Sequence, residues 1–207
     1  MYRRHLKHSR VKNLFKFVSA KMNTVFTVES SLEFDTCFHL EYSSTVKEFE
    51  TQPLGYYYEF EGRACPYTPD FRVVDHHGNA GFIEVKSCDK VADPDFLNRF
   101  PFKQQKALVL SSPLKLITER QIRIDPILGN LKLLHRYSGF QSFTPLHTML
   151  LRAVREYGRI QLSSLCDSSK ATHGAVFASI LTLIAMGLIK SDLTSQAFGA
   201  NTIVWTE

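Results

Sequence analysis

Thr68-Pro69-Asp70-Phe71-Arg72-Val73-Val74, then Asp75-His76-His77-Gly78-Asn79-Ala80-Gly81, then Phe82-Ile83-Glu84-Val85-Lys86 reads as strand, turn, strand. β-Branched and aromatic residues fill the two outer runs, and the middle is rich in turn formers. Pro69 sits at the mouth of the first strand, where its missing N–H costs least. Residues two apart on a strand share a face, so Glu84 and Lys86 point one way and Val85 the other. Asp70 can reach that face from the neighbouring strand. Two carboxylates brought within a few ångströms repel each other unless a cation lies between them. Carboxylate oxygens suit Mg²⁺ or Mn²⁺, and a lysine beside them suits an anionic transition state. The same spacing also fits a solvated strand face, where Glu and Lys alternate with no chemistry attached. The spacing alone leaves both readings open.

Upstream, Glu29-Ser30-Ser31-Leu32-Glu33 reads as a helix start, with Ser30 as cap and Glu33 completing a capping box. The helix is expected to end near Tyr42. Glu33 shares a helical face with Cys37 and Leu40, so its carboxylate needs a partner there: the cap, or a metal. Val46 to Phe60 reads as extended structure interrupted at Gln52-Pro53-Leu54-Gly55. The run Tyr56-Tyr57-Tyr58 is expected to pack a strand pair in preference to stacking bases. Downstream, a helix is expected near Pro94 to Lys106, strands at Ala107 to Leu110 and Leu114 to Thr118, and a helix near Pro126 to His135. His76-His77 has no companion ligand spacing, and an exposed turn is the expectation.

The net charge of +5 is unevenly placed. No acid precedes Glu29, while Arg3, Arg4, Lys7, Arg10, Lys12, Lys16 and Lys21 give a basic arm on a body of net −2. Such an arm binds phosphates or merely solubilises. The four cysteines, Cys37, Cys65, Cys88 and Cys166, form no CxxC pair, so reduced structural thiols in a cytoplasmic protein are expected. The apolar run from Val176 to Ile189 is shorter than the roughly 20 residues that span a bilayer, so it is expected to be a core helix and no membrane association is expected.

After Tyr137 the pattern changes. Residues 138–144 read as a linker, and from Pro145 the order is three helices and a hairpin, a winged-helix-like arrangement. From Thr144 onward the charges sum to only +1, and the third helix has almost none. A base-reading helix is usually basic, so this module is expected to favour protein contacts. The expected domains are a basic arm (1–28), a catalytic domain (29–137), a linker (138–144) and a C-terminal domain (145–207).

Five motifs occur in an order that resembles the TnsA family, the endonuclease subunit of heteromeric transposases: Asn13 through Lys21, Glu29 to Glu33, Gln52-Pro53 with the aromatics after it, Thr68 to Phe71, and Glu84-Val85-Lys86. The resemblance implies an α/β fold, a restriction-endonuclease-like domain with a mixed sheet flanked by helices, followed by the small winged-helix-like domain. It puts Glu33, Asp70, Glu84 and Lys86 in active-site positions of the PD-(D/E)xK kind, with Glu33, Asp70 and Glu84 as metal ligands. Some family members carry Gln where this chain has Glu84. The resemblance further implies Mg²⁺, with Mn²⁺ able to substitute, and double-stranded transposon-end DNA as substrate. The implied partners are a TnsB-like transposase and a TnsC-like AAA+ ATPase, and the compact form is similar to the CRISPR-associated branch. It implies a bacterial cytoplasmic protein that joins the nucleoid when acting. Two other classes stay open: a stand-alone restriction or repair nuclease, and a non-enzymatic winged-helix DNA-binding regulator.

Overall fold

The computed structural model describes residues 13–139 and 142–206, in two compact units that meet in sequence between Arg123 and Ile124. The first unit opens with a hairpin, β1 (Phe15–Ser19) and β2 (Thr24–Val28), followed by helix α1 (Ser31–Tyr42). The expected arm of residues 1–28 is thus ordered sheet from Phe15 on. Arg3, Arg4, Lys7, Arg10 and Lys12 lie outside the described residues. Alternation explains the hairpin: Phe17 and Ser19 are buried while Lys16 and Val18 face out. Phe17 packs edge-on against Phe38 of α1. Lys21 is not a free phosphate binder. Its ammonium donates to the carbonyls of Leu40, Ser43 and Val46 at 2.8–2.9 Å, which satisfies acceptors at the C-terminal end of α1 and ties them to the start of β3.

The central sheet has the order β3 (Val46–Thr51), β6, β7, β8. Between β3 and β6 the chain makes a separate hairpin, β4 (Tyr56–Phe60) and β5 (Arg63–Tyr67). Its turn, Glu61-Gly62, has positive φ at both residues (51° and 70°), the twist a two-residue hairpin prefers. Then come β6 (Phe71–Asp75) and β7 (Ala80–Val85), antiparallel across the His76-His77 turn, which is exposed as expected. Helices α2 (Cys88–Val91) and α3 (Pro94–Val109) carry the chain over to β8 (Leu114–Ile117), which pairs with β7 in parallel. A parallel pair needs such a crossover. The short α4 (Glu119–Ile122) ends the unit's regular elements. The expected strand at Ala107–Leu110 is instead the last turn of α3 and its cap: Ala107 is fully buried and Leu110 N–H bonds back to Lys106 and Ala107. Tyr56, Tyr58, Tyr67, Phe82, Phe100, Ala107 and Leu114 form one apolar cluster, so the tyrosine run packs a strand pair with Tyr57 exposed.

The second unit begins with α5 (Ile127–Tyr137), which the sequence reading assigned to the catalytic domain. It continues with α6 (Pro145–Tyr157), β9 (Ile160–Gln161), α7 (Leu162–Asp167), α8 (His173–Ala185), β10 (Lys190–Ser191) and β11 (Ile203–Trp205), the strands forming a sheet in the order β10, β11, β9. Leu150, Val154, Leu162, Leu165, Val176, Ile180, Leu183, Ile189 and Val204 build its core. Asn130 explains why α5 belongs here. Its buried amide donates to Leu193 O at 2.9 Å and Gln196 O at 2.8 Å, and its carbonyl accepts Phe198 N–H at 2.8 Å. No periodicity advertises a polar residue with partners more than sixty positions away. Among the described residues no helix is long and apolar enough to cross a membrane.

Replacing Asn130 with alanine strands three main-chain groups that it now satisfies. Asn130→Ala should cost about 2–4 kcal/mol in the unfolding of the second unit, and amide exchange should speed up across residues 193–198. An unchanged denaturation profile would show that the loop does not depend on α5.

Candidate active site

Asp70 stands one residue before β6, where Pro69 has just ended. Its backbone is pinned on both sides: Gln52 N–H donates to Asp70 O at 2.8 Å, and Asp70 N–H donates to Ile83 O at 3.1 Å. Its carboxylate is held as well, because Val85 N–H donates to Oδ2 at 2.8 Å. Glu84 lies on β7 beside it. One Glu84 oxygen accepts from the Lys86 ammonium at 2.8 Å, and the other accepts the Tyr67 hydroxyl. Asp70 is 8% exposed and Glu84 3%. The structure therefore brings Asp70, Glu84 and Lys86 together as the strand spacing anticipates, and it buries the two acids with the lysine half-buried beside them, which a solvated strand face would not.

Burial has an electrostatic consequence. Desolvation, then the Glu84 charge, push the Asp70 carboxyl well above the usual carboxylate range, and Lys86 only partly offsets them. Burial alone would lower the Lys86 pKa, but Asp70 and Glu84 outweigh it and the net shift is upward. Lys86 stays a cation. Tyr67 is raised by its own burial and by Glu84, so it stays protonated and keeps donating. Two buried carboxylates against one ammonium leave negative charge in a poorly solvated place, and a further cation would neutralise it.

Glu33 is placed differently. It is buried at the first turn of α1, accepting Ser30 Oγ–H at 2.8 Å and Glu29 N–H at 3.1 Å while Ser30 Oγ accepts Glu33 N–H. It thus fills the capping role. Its charge is still felt by Asp70 and Lys86. Among the described residues, though, no three of His, Cys, Asp and Glu are drawn together closely enough to hold a metal ion. The pair Asp70 and Glu84 offers the hard oxygen donors that Mg²⁺ and Mn²⁺ prefer, so the donor chemistry fits a divalent cation while the third carboxylate remains at the margin.

Two participants were not foreseen. Tyr67 was hidden because its strand, β5, contains Pro66 and reads poorly as a strand. Lys103 of α3 lies 4.5 Å over the Tyr67 ring and feels the charges of Glu84 and Lys86, with its pKa lowered chiefly by burial. Its spacing from Phe96 and Phe100, at i+7 and i+3, put it on the helix's inner face and was a usable signal.

Residues 43–119, from β3 through β8, match the family described as TnsA-like endonuclease N terminal. This segment is similar to the N-terminal domain of TnsA-like endonucleases. The match spans Asp70, Glu84 and Lys86 and stops short of Glu33 and of the second unit. No curated protein matches the chain. The similarity thus falls on the mixed sheet described above and supports a nuclease reading of that segment.

The raised Asp70 carboxyl makes a prediction for the protein held in chelator. A carboxyl whose folded pKa lies above its unfolded value, about 3.9, binds its proton more tightly when folded. Stability from it is therefore lost as pH rises through the folded pKa and regained as pH falls toward 3.9. Asp70→Asn, which keeps an acceptor for Val85 N–H, removes the charge. It should stabilise the cation-free protein at neutral pH by about 0.5–2 kcal/mol, and the advantage should shrink as pH falls toward 4. Thermal melts across pH would measure it, and an advantage that does not shrink would contradict the shift.

Proposed function

We propose that this chain is a metal-dependent DNA endonuclease that nicks the 5′ ends of a transposon during cut-and-paste transposition. The observation that carries the reading is the buried pair Asp70 and Glu84 with the Lys86 ammonium at 2.8 Å from Glu84, inside a segment that matches a TnsA-like endonuclease. Asp70 and Glu84 would hold Mg²⁺, or Mn²⁺ in its place, and Glu33 would join them if it turned away from its capping bonds. When bound, the cation supplies a Lewis acid for the scissile phosphate and lowers the pKa of a bound water. The chain's own part is positional. Val85 N–H orients Asp70, Tyr67 orients Glu84, and Lys86 offers a positive charge to the phosphorane that forms during attack.

In the second unit, the order α6, β9, α7, α8, β10, β11 supports a winged-helix reading of residues 145–206. Helix α8 carries no lysine or arginine. That supports a docking role toward protein partners, a TnsB-like transposase and a TnsC-like AAA+ ATPase, in preference to base reading. In the family, the transposase cuts the 3′ ends and joins them to target, and the ATPase regulates both cuts.

The test is strand-resolved cleavage of labelled transposon-end DNA with Mg²⁺ or Mn²⁺, with and without the transposase and ATPase of the same element. Asp70→Ala should abolish the 5′ cut while leaving the fold and the 3′ cuts in place, so that cointegrates replace simple insertions. Lys86→Met should slow the 5′ cut about 10²–10³-fold. Cutting that needs no partners would identify a stand-alone restriction or repair nuclease. Simple insertion by Asp70→Ala would remove the catalytic assignment and leave the winged-helix regulator.

A further inference from the structure

Gln52 closes β3, and its main chain is one of the two anchors of Asp70. The ladder between β3 and β6 pairs Thr51 with Phe71, and the ladder between β6 and β7 pairs Phe71 with Ile83. Past the ends of these ladders Gln52 N–H reaches Asp70 O and Asp70 N–H reaches Ile83 O, so Gln52 stands next to Asp70 at the end of the sheet where the site lies. Gln52 is 9% exposed, and neither its Nε2 nor its Oε1 has a hydrogen-bond partner. Among the described residues no other buried side-chain nitrogen or oxygen is left in that condition.

A primary amide offers two donor hydrogens and an acceptor oxygen, and burying all of them unmet is costly. A leucine or methionine would fill the same space at no such cost. The backbone adds to the oddity: φ is +47° at a residue that is not glycine and that precedes Pro53, a conformation side chains rarely adopt. A buried, unsatisfied polar group beside a reactive pair is what a site looks like before its substrate supplies the missing partner. The amide is neutral, so it adds nothing to the repulsion between the two carboxylates. The ligand that the nuclease reading brings to this end of the sheet is a phosphodiester, whose non-bridging oxygens accept hydrogen bonds.

We infer that Gln52 is a substrate-binding residue of the nuclease site, its Nε2 donating to a non-bridging oxygen of the scissile phosphate. The inference rests on the nuclease reading above. It assigns a purpose to the interruption between β3 and β4: the chain turns there in a strained conformation that keeps a buried amide on the residue bonded to Asp70.

The test uses the full chain with its transposase and ATPase, in single-turnover cleavage of end DNA. The scissile phosphate is either unmodified or carries sulfur at one non-bridging position, each diastereomer separately. Gln52→Leu should slow the unmodified substrate about 10-fold or more. It should slow one diastereomer by less than about threefold, because sulfur accepts hydrogen bonds poorly and that contact is already weakened. Its melting temperature without DNA should equal or exceed wild type, since the unmet amide is gone. Equal slowing on all three substrates, no slowing, or a lowered melting temperature that accounts for the lost cutting would each overturn the inference. Should Gln52→Leu not fold, Gln52→Met carries the same comparison. Wild-type protein that makes no Asp70-dependent cut would overturn the nuclease reading and this inference together. Asp70-dependent cutting that Gln52→Leu leaves intact would overturn this inference alone.

Discussion

Asp70, at the entrance of β6, and Glu84 of the neighbouring β7 are both buried, and their mutual repulsion is the constraint to which the first unit is fitted. Three different kinds of group answer it: a main-chain N–H from Val85, a hydroxyl from Tyr67 and an ammonium from Lys86. The first and last come from the end of β7 and the hydroxyl from β5, while Asp70 itself stands at the start of β6, so the site requires all three strands at once. The tyrosine comes from a hairpin that leaves the main sheet altogether, and the apolar cluster of Tyr56, Tyr58, Phe82 and Phe100 holds that hairpin in place. Packing and charge are linked here. Loosening the cluster would loosen the proton donor on Glu84.

What the sequence disclosed follows from how local each interaction is. The β6–β7 hairpin was legible because its turn and both strands lie within nineteen residues, and the Glu84-Val85-Lys86 alternation states the shared face outright. Ser30 and Glu33 were legible as a cap for the same reason. The first hairpin was obscured by its charges: Lys16 and Lys21 made a strand pair look like the continuation of a basic tail, although Phe17 and Ser19 alternate inward. The end of α3 was obscured by Ala107-Leu108-Val109-Leu110, apolar enough for a strand, where the preceding helix in fact runs on. The partners of Glu84 and of Asn130 were illegible because they are fixed by crossings of chain that no spacing rule encodes.

The second unit rests on different physics. The buried residues of its core cluster are aliphatic apart from Cys166, and Asn130 fastens α5 to the segment between β10 and β11. Where the first unit buries two carboxylates together, helix α8 of the second presents no lysine or arginine. The two units differ in the forces they use and, on the reading advanced above, in the partners they meet.

The bond that aims Asp70 comes from the main chain of residue 85, and a peptide N–H is the same whatever side chain is attached to it. Val85 itself faces away from the acids and is buried, so only volume and apolarity restrict it. Residues 84 and 86 carry the chemistry, while residue 85 is free to drift among isoleucine, leucine and valine as the opposite face of the sheet is repacked. Proline is the one residue that would remove the bond. The aim of the acid is thus inherited through the backbone, insulated from the mutational turnover of the core beneath it, and a lineage can remodel that core without retraining its active site.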